Sequence, residues 1–356
     1  MDYFKNTICL NMIVRNEAHV ICRCLESVKG LIDHWVIVDT GSTDGTQETI
    51  RAFFKDLPGE LYERPWVHFA HNRNEALSLA KNRGDYLLFI DADDQLVLPA
   101  NFQFPRLDLD YYLVVQRDVE FGTDTLWPLL INTKLDWKWV GVAHETLESP
   151  EAVTCGMFEG VVNLYLNDGN RSSDPNKKKK VIEMLEWGLE LEPENSRYVF
   201  YLAQSYRGLR RYAEAIKIYE RRVKMGGSEE EIYSSLYWIA RLQEELEEDP
   251  ELFIDSYSKA YQHCPSRIEP IYSIVAHYIK TKQFLLGYLL AKFALSSPPL
   301  QKGATFVLKW MYDWGIDFEI YVCARELGRK SEADAVAKKL LQNRDFPADL
   351  RERIHL

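Results

Sequence analysis

The pattern of hydrophobic and polar positions changes character about halfway along the chain. In the first half, short apolar runs typical of buried strands alternate with stretches whose apolar residues recur at helical spacing. The strand-like runs are 8–14, 34–38 and 86–90, and the helix-like stretches are 18–28, 46–54 and 74–81. Alternation of strand and helix in such short steps predicts a parallel or mixed α/β sheet.

From residue 177 onward the pattern is helical and repetitive. Leu202, Ala203, Tyr206, Ala215 and Tyr219 follow the spacing of a tetratricopeptide repeat, in which small residues lie where two helices of a hairpin touch. Further copies contain Tyr257, Ala260 and Pro265, then Tyr278, Gly287, Ala294 and Pro299, then Gly328 and Ala333, while Leu185, Gly188 and Pro193 fit the second helix of a leading half-repeat. A helical bundle without repeats is the alternative.

The change of pattern predicts the domain organisation. A polar segment containing glycine and serine, 169–175, separates the two halves in composition. We therefore expect an α/β domain at 1–167, a linker at 168–177 and an all-α tetratricopeptide-like domain at 178–356.

Composition excludes several classes of protein. The 356 residues carry a formal charge of −11, which argues against a dedicated nucleic-acid binder or a polybasic membrane anchor. The six cysteines include no CxxC pair, so we expect reduced thiols rather than a disulfide framework or a zinc site. The first six residues lack the order of a signal peptide, and no apolar run approaches about 18 residues. Together these features predict a cytoplasmic protein without an integral membrane segment.

Polar clusters follow the three strand-like runs. Arg15 and Glu17 come after the first run, Asp39 ends the second, and Asp91 to Asp94 follow the third. The carboxyl ends of parallel strands meet at one edge of a sheet, where ligands bind. Asp91 and Asp93 are alternate carboxylates suited to a hard cation, Mg²⁺ or Mn²⁺, that bridges phosphate oxygens. An acidic turn is the alternative.

Single residues nearby suggest roles in nucleotide binding. Asp39 can accept a hydrogen bond from a nucleobase or ribose, or it forms a turn before Thr-Gly. Arg15 and Arg73 are suited to phosphate or base, or they are surface cations. Asn72 or Asn74 is suited to capping a helix. The lysine run that begins at 177 is a solvated helix start or a phosphate contact.

A later segment, 137–145, adds a second set of candidates. Trp137 and Trp139 can stack on a sugar or a base, or they belong to the core. His144 is a candidate metal ligand, and the adjacent Glu145 is a candidate general base.

Four of these segments resemble, in order, the motifs of the family 2 glycosyltransferases, which have a GT-A fold. The matching stretches are NMIVRNE at 11–17, VDTGSTDGT at 38–46, HNRNEAL at 71–77 and LFIDAD at 88–93. Two later stretches, WVGVAHE at 139–145 and YLAQSY at 201–206, look like a subgroup with a carboxyl-terminal tetratricopeptide domain. Glycosyltransferases that modify bacteriocin peptides share this layout.

The resemblance implies a binding site for a nucleotide sugar, in particular a UDP-sugar. Asp39 would hold the base, and Arg73 the base or the diphosphate. Asp91 and Asp93 would be the DxD pair around Ala92, with Asp93 the stronger ligand of Mn²⁺ or Mg²⁺. The nucleoside pocket would be lined by the backbone near Met12 and Val14, together with Glu17.

The resemblance also implies an inverting transfer, which needs one general base and no enzyme nucleophile. Glu145 is the first candidate for that base, and Asp118 and Glu120 are its competitors. His144 or Asp168 would complete the metal shell. Arg171 or Lys177 would reach the diphosphate from the segment 168–177, which is either a lid over the donor or a plain linker.

The acceptor expected from these features is a protein, a peptide or a glycan, and the helical domain is expected to select it or to form a homodimer. The competing hypothesis is a tetratricopeptide scaffold or peptide-binding protein whose glycosyltransferase domain is degenerate. The presence of Asp39, Arg73, Asp91 and Asp93 argues against degeneracy. A sugar nucleotidyltransferase would need a glycine-rich basic loop after the first strand, and residues 14–17 are not one.

Overall fold

A computed structural model describes residues 6–120, 122–172, 174–301 and 304–354. Residues 1–5, which enter the signal-peptide argument, lie outside the described part of the chain. The described residues divide into two compact units, 6–205 and 206–354, and each is treated by itself. The first unit includes two helices that sequence analysis assigns to the helical domain, so the compact division comes later in the chain than the linker at 168–177.

The first unit is built on an eight-stranded mixed sheet. Its strands are β1 (Ile8–Val14), β2 (His34–Asp39), β3 (Gly59–Glu63), β4 (Tyr86–Phe89), β5 (Asp94–Val97), β6 (Tyr111–Asp118), β7 (Asp124–Asn132) and β10 (Cys155–Tyr165). Their order across the sheet is β3-β2-β1-β4-β7-β6-β10-β5. The first four strands in that order are parallel, whereas β7 runs antiparallel to both β4 and β6. A separate hairpin joins β8 (Lys138–Val140) to β9 (Thr146–Glu148).

Helices α1 (Ile21–Val28) and α2 (Thr46–Phe53) pack on one face of this sheet, and α3 (Phe69–Ala80) packs on the other. Two further helices follow the sheet, α4 (Lys177–Leu191) and α5 (Ser196–Gly208), and the division between the units falls within α5. Because successive side chains of a strand point to opposite faces, β1 contributes Leu10 and Met12 to the core on one side and Cys9 to the core on the other. The strand is buried on both faces, which is why it is apolar almost throughout.

The predicted elements of this unit are largely confirmed. The run 8–14 is strand β1 with the same bounds, and 34–38 and 86–90 match β2 and β4 to within a residue. Helix α3 begins at Phe69 rather than at 74, because the His68 side chain accepts a hydrogen bond from the His71 backbone and so caps the helix. Strand β3 was missed because it is only half-buried and has no continuous apolar run.

The second unit consists of antiparallel helical hairpins. Its helices are α6 (Tyr212–Lys224), α7 (Glu229–Glu245), α8 (Pro250–His263), α9 (Glu269–Lys280), α10 (Phe284–Ala294), α11 (Ile316–Glu326), α12 (Lys330–Gln342) and the short α13 (Ala348–Arg351). The small residues of the predicted repeats are buried between helices: Ala215, Ala260, Gly287, Ala294 and Ala333. This packing confirms the tetratricopeptide-type pattern.

Two further expectations concern helices and cysteines. Within the described ranges, no helix is both long enough and apolar enough to cross a membrane. The six cysteines are free thiols, as their spacing indicates.

Candidate active site

Asp39 lies at the carboxyl end of β2 and is fully buried. Its Oδ1 accepts hydrogen bonds from the backbone N–H groups of Gly41 (2.9 Å) and Ser42 (2.8 Å) and from the Gln47 side chain (3.1 Å). The turn-forming role raised by sequence analysis is therefore real. Its second oxygen, Oδ2, is also buried and has no partner within the protein. One oxygen thus fixes the side chain, and the other is available to a ligand.

The residues after β1 form the neighbouring part of the same sheet edge, because Val14 pairs with Asp39 in register. The backbone oxygen of Val14 is taken by Thr40, and the Met12 side chain is in the core. Arg15 is exposed. Glu17 accepts a hydrogen bond from the Asn170 backbone at 3.1 Å.

Glu17 is an ionisable group in an unfavourable environment. Burial raises the pKa of Glu17 to about 7, and the negative charge of Asp93 acts in the same direction. The bond from Asn170 opposes this shift but does not cancel it.

Arg73, on α3, is the centre of an ion triad in which Arg73 and Glu145 are buried and Asp91 is 34% exposed. Its Nε donates to Glu145 Oε1 at 2.6 Å, and its Nη2 donates to Asp91 Oδ1 at 2.7 Å. The guanidinium also lies over the ring of Trp139, 4.8 Å from the centroid. Burial alone would lower the pKa of Arg73, but Asp91 and Glu145 overcome that effect and raise it. The sequence resemblance implies that Arg73 contacts the base or the diphosphate, but it does not reveal the ion pair with Glu145, which lies 72 residues away along the chain.

The asparagines of the same helix are not caps, so that prediction is wrong. Asn74 forms two hydrogen bonds with the backbone of Trp139, one to its oxygen and one from its nitrogen, each 2.8 Å long. Asn72 binds the backbone of Pro65 and Val67. Since α3 begins at Phe69, both residues lie inside it. Asn74 thereby fixes strand β8 beside Arg73.

The turn after β4 concentrates negative charge. Asp93 accepts a hydrogen bond from the Gly169 backbone at 3.2 Å, and Ala92 beside it is buried. Burial, followed by repulsion from Asp91, raises the pKa of Asp93. Asp94 is buried and accepts from Asn163 at 2.6 Å, and its pKa is also raised, first by burial and then by Asp91. A cation at this turn would relieve the repulsion.

Neither of the additional metal ligands suggested by the sequence joins this turn. The His144 ring stacks on Tyr201 with the centroids 4.0 Å apart. Desolvation of the imidazole is the main cause that lowers the pKa of His144, and the positive charges of Arg171 and Arg197 add to it. Asp168 forms a two-pronged ion pair with Arg23, both contacts being 2.7 Å. Among the residues that the structure describes, no group of three or more His, Cys, Asp or Glu side chains is arranged to hold a metal.

The segment 167–172 lies against the acidic turn. Gly169 has no room for a side chain, because a Cβ there would come within 2.7 Å of Asp93 Oδ2. Arg23, which sequence analysis did not single out, donates to the Asp93 backbone oxygen as well as to Asp168. This segment is therefore attached to the site by specific bonds.

Two cations accompany that segment. The Arg171 guanidinium lies 4.2 Å from the centroid of the Phe69 ring, and Lys177 donates to Asn167 and Ser172. Desolvation lowers the pKa of Lys177, and the positive charge of Arg171 acts in the same direction. For Arg171, whose pKa is also lowered, Glu145 and Asp91 oppose the desolvation.

The competing base candidates lie elsewhere on the sheet. Asp118 ends β6 and accepts a hydrogen bond from the Glu120 backbone at 2.9 Å. Glu120 accepts from Asn167 at 3.4 Å. Of the three candidates, only Glu145 is bonded to the Arg73–Asp91 pair.

Comparisons with known proteins find similarity to glycosyltransferases and to a TPR repeat-containing protein. Residues 9–136 match the model of "Glycosyl transferase family 2". A TPR repeat-containing protein of Synechococcus elongatus is 27% identical over 317 residues, which are 82% of this chain and 76% of the relative. The SPbeta prophage-derived glycosyltransferase SunS of Bacillus subtilis is 30% identical over 226 residues, or 59% of this chain. The chain spans about half the length of SunS, 51%.

Solved structures match one half of the chain at low similarity. The match to a crystal structure of MamA protein covers 51% of this chain and 88% of the MamA chain, with a TM-score of 0.37 and 15% sequence identity. YrrB, described as a TPR protein, covers 50% of this chain with a TM-score of 0.37 and 12% identity. The family match and the helical hairpins described above together show that this chain carries a family 2 glycosyltransferase domain followed by tetratricopeptide-type repeats.

Proposed function

We propose that the protein transfers a sugar from a UDP-sugar to an acceptor, with inversion at the anomeric carbon and with Mn²⁺ or Mg²⁺. The observation that carries this proposal is the ion triad Glu145–Arg73–Asp91. It links a carboxylate suited to general-base catalysis with the acidic turn suited to a diphosphate. Such a link is what a single displacement between an acceptor and a nucleotide sugar needs.

The donor nucleotide would bind across the ends of β1 and β2. Asp39 Oδ2 is buried and has no hydrogen-bond partner within the protein. It would accept a hydrogen bond from the N–H group of a uracil ring. The backbone at Met12 and Val14, with Arg15 and Glu17, would line the nucleoside pocket. Arg171 and Lys177 supply positive charge for the diphosphate.

The acidic turn fits a divalent cation through the chemistry of its donors. Burial, followed by repulsion from Asp91, raises the pKa of Asp93, and Mg²⁺-type ions often use one or two carboxylates together with substrate phosphates. Asp93 and Asp91 would hold the ion, and His144 and Asp168 are not needed for it. When bound, it would stabilise the charge that develops on the departing diphosphate.

Glu145 would act as the general base. Its Oε1 is held by Arg73, which orients the carboxylate, while its Oε2 is left to receive the acceptor's proton. As the acceptor atom forms its bond to the anomeric carbon, the bond to the diphosphate breaks and the nucleoside diphosphate leaves with the electron pair. Because Arg73 binds both Glu145 and Asp91, it would hold the general base at a fixed distance from the carboxylate beside the diphosphate.

The test is turnover of a panel of nucleotide sugars, measured as hydrolysis or transfer with Mn²⁺ present. We expect one UDP-sugar to be consumed, and Asp93→Ala to abolish metal-dependent turnover while the circular dichroism spectrum stays unchanged. The exposed Asp56→Ala is the matched control and should retain full activity, because the Asp56 side chain is 88% exposed. Absence of turnover with every donor, in a folded protein, would refute the proposal.

A second role, self-association through the helical unit, is favoured by one observation on α10. Leu285, Leu286, Leu289 and Phe293 are 45–55% exposed on this helix, and such a patch is typical of an interaction surface. We expect Leu289→Glu to shift the full-length protein toward a smaller species in light scattering. An unchanged mass would contradict this role and leave the catalytic proposal untouched.

A further inference from the structure

The acidic turn at 91–94 is held from three sides by side chains of the first unit. Helix α3 contributes the bond from Arg73 to Asp91 described above. Helix α1 contributes two more: Arg23 donates to the Asp93 backbone oxygen at 2.9 Å, and the Cys24 thiol donates to the Asp91 backbone oxygen at 3.2 Å. The third side is strand β10, and its contact comes from an amide side chain.

Asn163, on β10, is fully buried and bonds to the last residue of the turn. Its Nδ2 donates to Asp94 Oδ2 at 2.6 Å. In the antiparallel pairing of β10 with β5, Leu96 is opposite Asn163, and Asp94 lies two residues before Leu96 on the same face. Leu96 belongs to the hydrophobic core, so both polar side chains point into apolar surroundings.

A second amide extends this contact across the sheet. Gln116, on β6, is directly opposite Asn163, and its Nε2 also donates to Asp94 Oδ2, at 3.4 Å. The Gln116 Oε1 in turn accepts from the hydroxyl of Thr125, on β7, at 3.5 Å. Thr125, Gln116, Asn163 and Asp94 therefore form a polar row that runs through the four neighbouring strands β7, β6, β10 and β5.

The polar row is an unusual choice for the core side of a sheet. Buried amides and carboxylates lose their hydration, and replacing a hydrogen-bonded pair by apolar groups of the same shape is often neutral or stabilising. What the row supplies instead is a fixed orientation for Asp94. Because the Asp94 backbone nitrogen donates to the Asp91 backbone oxygen at 3.0 Å, the turn closes on the residue that the row holds.

We propose that Asn163 is a positioning residue for the divalent cation of the donor site. Asn163 fixes Asp94, and Asp94 fixes the turn whose carboxylates, Asp91 and Asp93, would bind the ion. This inference rests on the proposed metal-dependent function and adds to its site a residue that lies 69 positions after Asp94 in the chain. Side chains that orient metal ligands through hydrogen bonds typically contribute about 10- to 100-fold to metal affinity or activity.

The first measurement is the affinity of the full-length protein for Mn²⁺ in the presence of UDP, by isothermal titration calorimetry. Asn163→Leu keeps nearly the same side-chain size but removes the donor, so it should weaken Mn²⁺ binding about tenfold or more. Gln116→Met removes a longer and weaker bond and should weaken Mn²⁺ binding about two- to threefold. Since Gln116 is only partly buried, this variant keeps the proposal testable if Asn163→Leu fails to fold.

Tyr86→Phe is the matched control for the loss of a buried hydrogen bond. Tyr86 is buried at the start of β4, and its hydroxyl donates to the Leu109 backbone oxygen at 2.7 Å. The substitution therefore destabilises the same sheet at the end of β4 that lies away from the acidic turn. It should lower the melting temperature but leave the affinity for Mn²⁺ unchanged.

Kinetics distinguish positioning from general damage to the fold. In Asn163→Leu, the Mn²⁺ concentration that gives half-maximal donor turnover should rise about tenfold. At saturating Mn²⁺, kcat per folded molecule should stay within about twofold of the wild type, because the lost interaction acts on metal binding.

The outcomes separate this inference from the function beneath it. If the wild type binds Mn²⁺ and Asn163→Leu binds it equally well, the positioning role is wrong and the glycosyltransferase proposal stands. An equal loss of Mn²⁺ affinity in Tyr86→Phe would also overturn the positioning role. A wild type that binds no Mn²⁺ would overturn the metal dependence of the proposed function, and this inference with it.

Discussion

In the helical unit, the buried carboxylates Glu231 and Glu269 are each paired with a buried arginine, whereas in the sheet unit Asp39 and Asp94 each keep a buried oxygen without a partner. Arg267 is 2% exposed and pairs with Glu269, also 2% exposed, at 3.0 Å. The same guanidinium donates to the backbone oxygens of Thr305 and Phe306. Arg222 pairs with Glu231 in a similar way. These ions hold helices together.

The sheet unit leaves acceptors open at one edge. Asp39 and Asp94 each have a buried oxygen without a partner, and these are the carboxylates of the described chain with that property. Nearby, the pKa values of Glu17 and Asp93 are raised. Unmatched buried charge costs free energy, so its concentration at the ends of β1, β2 and β4 is typical of a binding site rather than of a structural network.

The sharpest test of this contrast removes the central arginine from each unit. Arg73→Met and Arg267→Met each remove the positive partner of a buried carboxylate, Glu145 and Glu269, so each should lower the free energy of unfolding by about 3–5 kcal/mol. Only Arg73→Met should also lower kcat per folded molecule, by about a hundredfold or more, because it releases Glu145. Urea titration and steady-state kinetics measure the two effects. A folded Arg73→Met with normal kcat would show that this triad, too, is only structural.

The next test concerns the open oxygen of Asp39. In Asp39→Asn, the amide oxygen can keep the turn while the NH₂ group replaces the acceptor, so a base N–H would meet a donor. We expect UDP affinity to fall about 10- to 100-fold, as for a hydrogen bond to a charged group worth about 1.5–3 kcal/mol. Isothermal titration calorimetry measures the change. Asp136→Asn is the control, and equal affinity of the two variants would argue against a base contact.

Glu17 gives the contrast a pH dependence. Its folded pKa of about 7 lies above the ordinary value of 4.5, so the folded protein holds the proton more tightly. The contribution of Glu17 to the free energy of unfolding is therefore greatest below pH 4.5 and is lost as the pH rises through about 7. Without metal, the free energy of unfolding of Glu17→Gln should gain about 1–3 kcal/mol relative to the wild type between pH 4.5 and pH 8.5. A difference that stays constant with pH would mean that Glu17 is not strained by burial.

The smallest expected effect concerns the exposed ion pair of Arg23 and Asp168. Because its side chains are 32% and 45% exposed, Arg23→Gln should cost only about 0.2–1 kcal/mol in global stability. The segment 167–172 should nonetheless become several-fold more sensitive to protease, since this pair attaches it to the acidic turn. Arg117→Gln breaks a similarly exposed two-pronged pair with Asp124 and is the control. If the segment 167–172 is cleaved equally fast in the two variants, Arg23 does not hold this segment against the acidic turn.

The elements that carry the site were predictable from the sequence, since they depend on local pattern. A buried apolar run defined β1, and parallel strands bring Val14 and Asp39 to the same edge. The bonds between side chains were not predictable. Arg73 and Glu145 are 72 residues apart, and Arg23 and Asp168 are 145 residues apart. The hydrophobic periodicity of a sequence reports on local structure and does not reveal pairs of side chains so far apart along the chain.

Local chemistry also misled in one place. Asparagine is a preferred helix cap and histidine is not, so the pattern favoured Asn72 or Asn74 as the start of α3. The structure uses His68 instead and frees Asn74 to bind the backbone of Trp139. These long-range bonds hold strand β8 against α3 and could not be predicted from composition.

The close approach of Gly169 to Asp93 has a practical consequence for dissecting the chain. A segment rich in small and polar residues is an obvious place to cut between domains, yet its backbone N–H groups at 169 and 170 are bonded to Asp93 and Glu17. A fragment ending before residue 169 would strip both carboxylates of a donor, and any residue larger than glycine at 169 would strike the acidic turn. An excised catalytic fragment should therefore extend through residue 205, where the first compact unit ends.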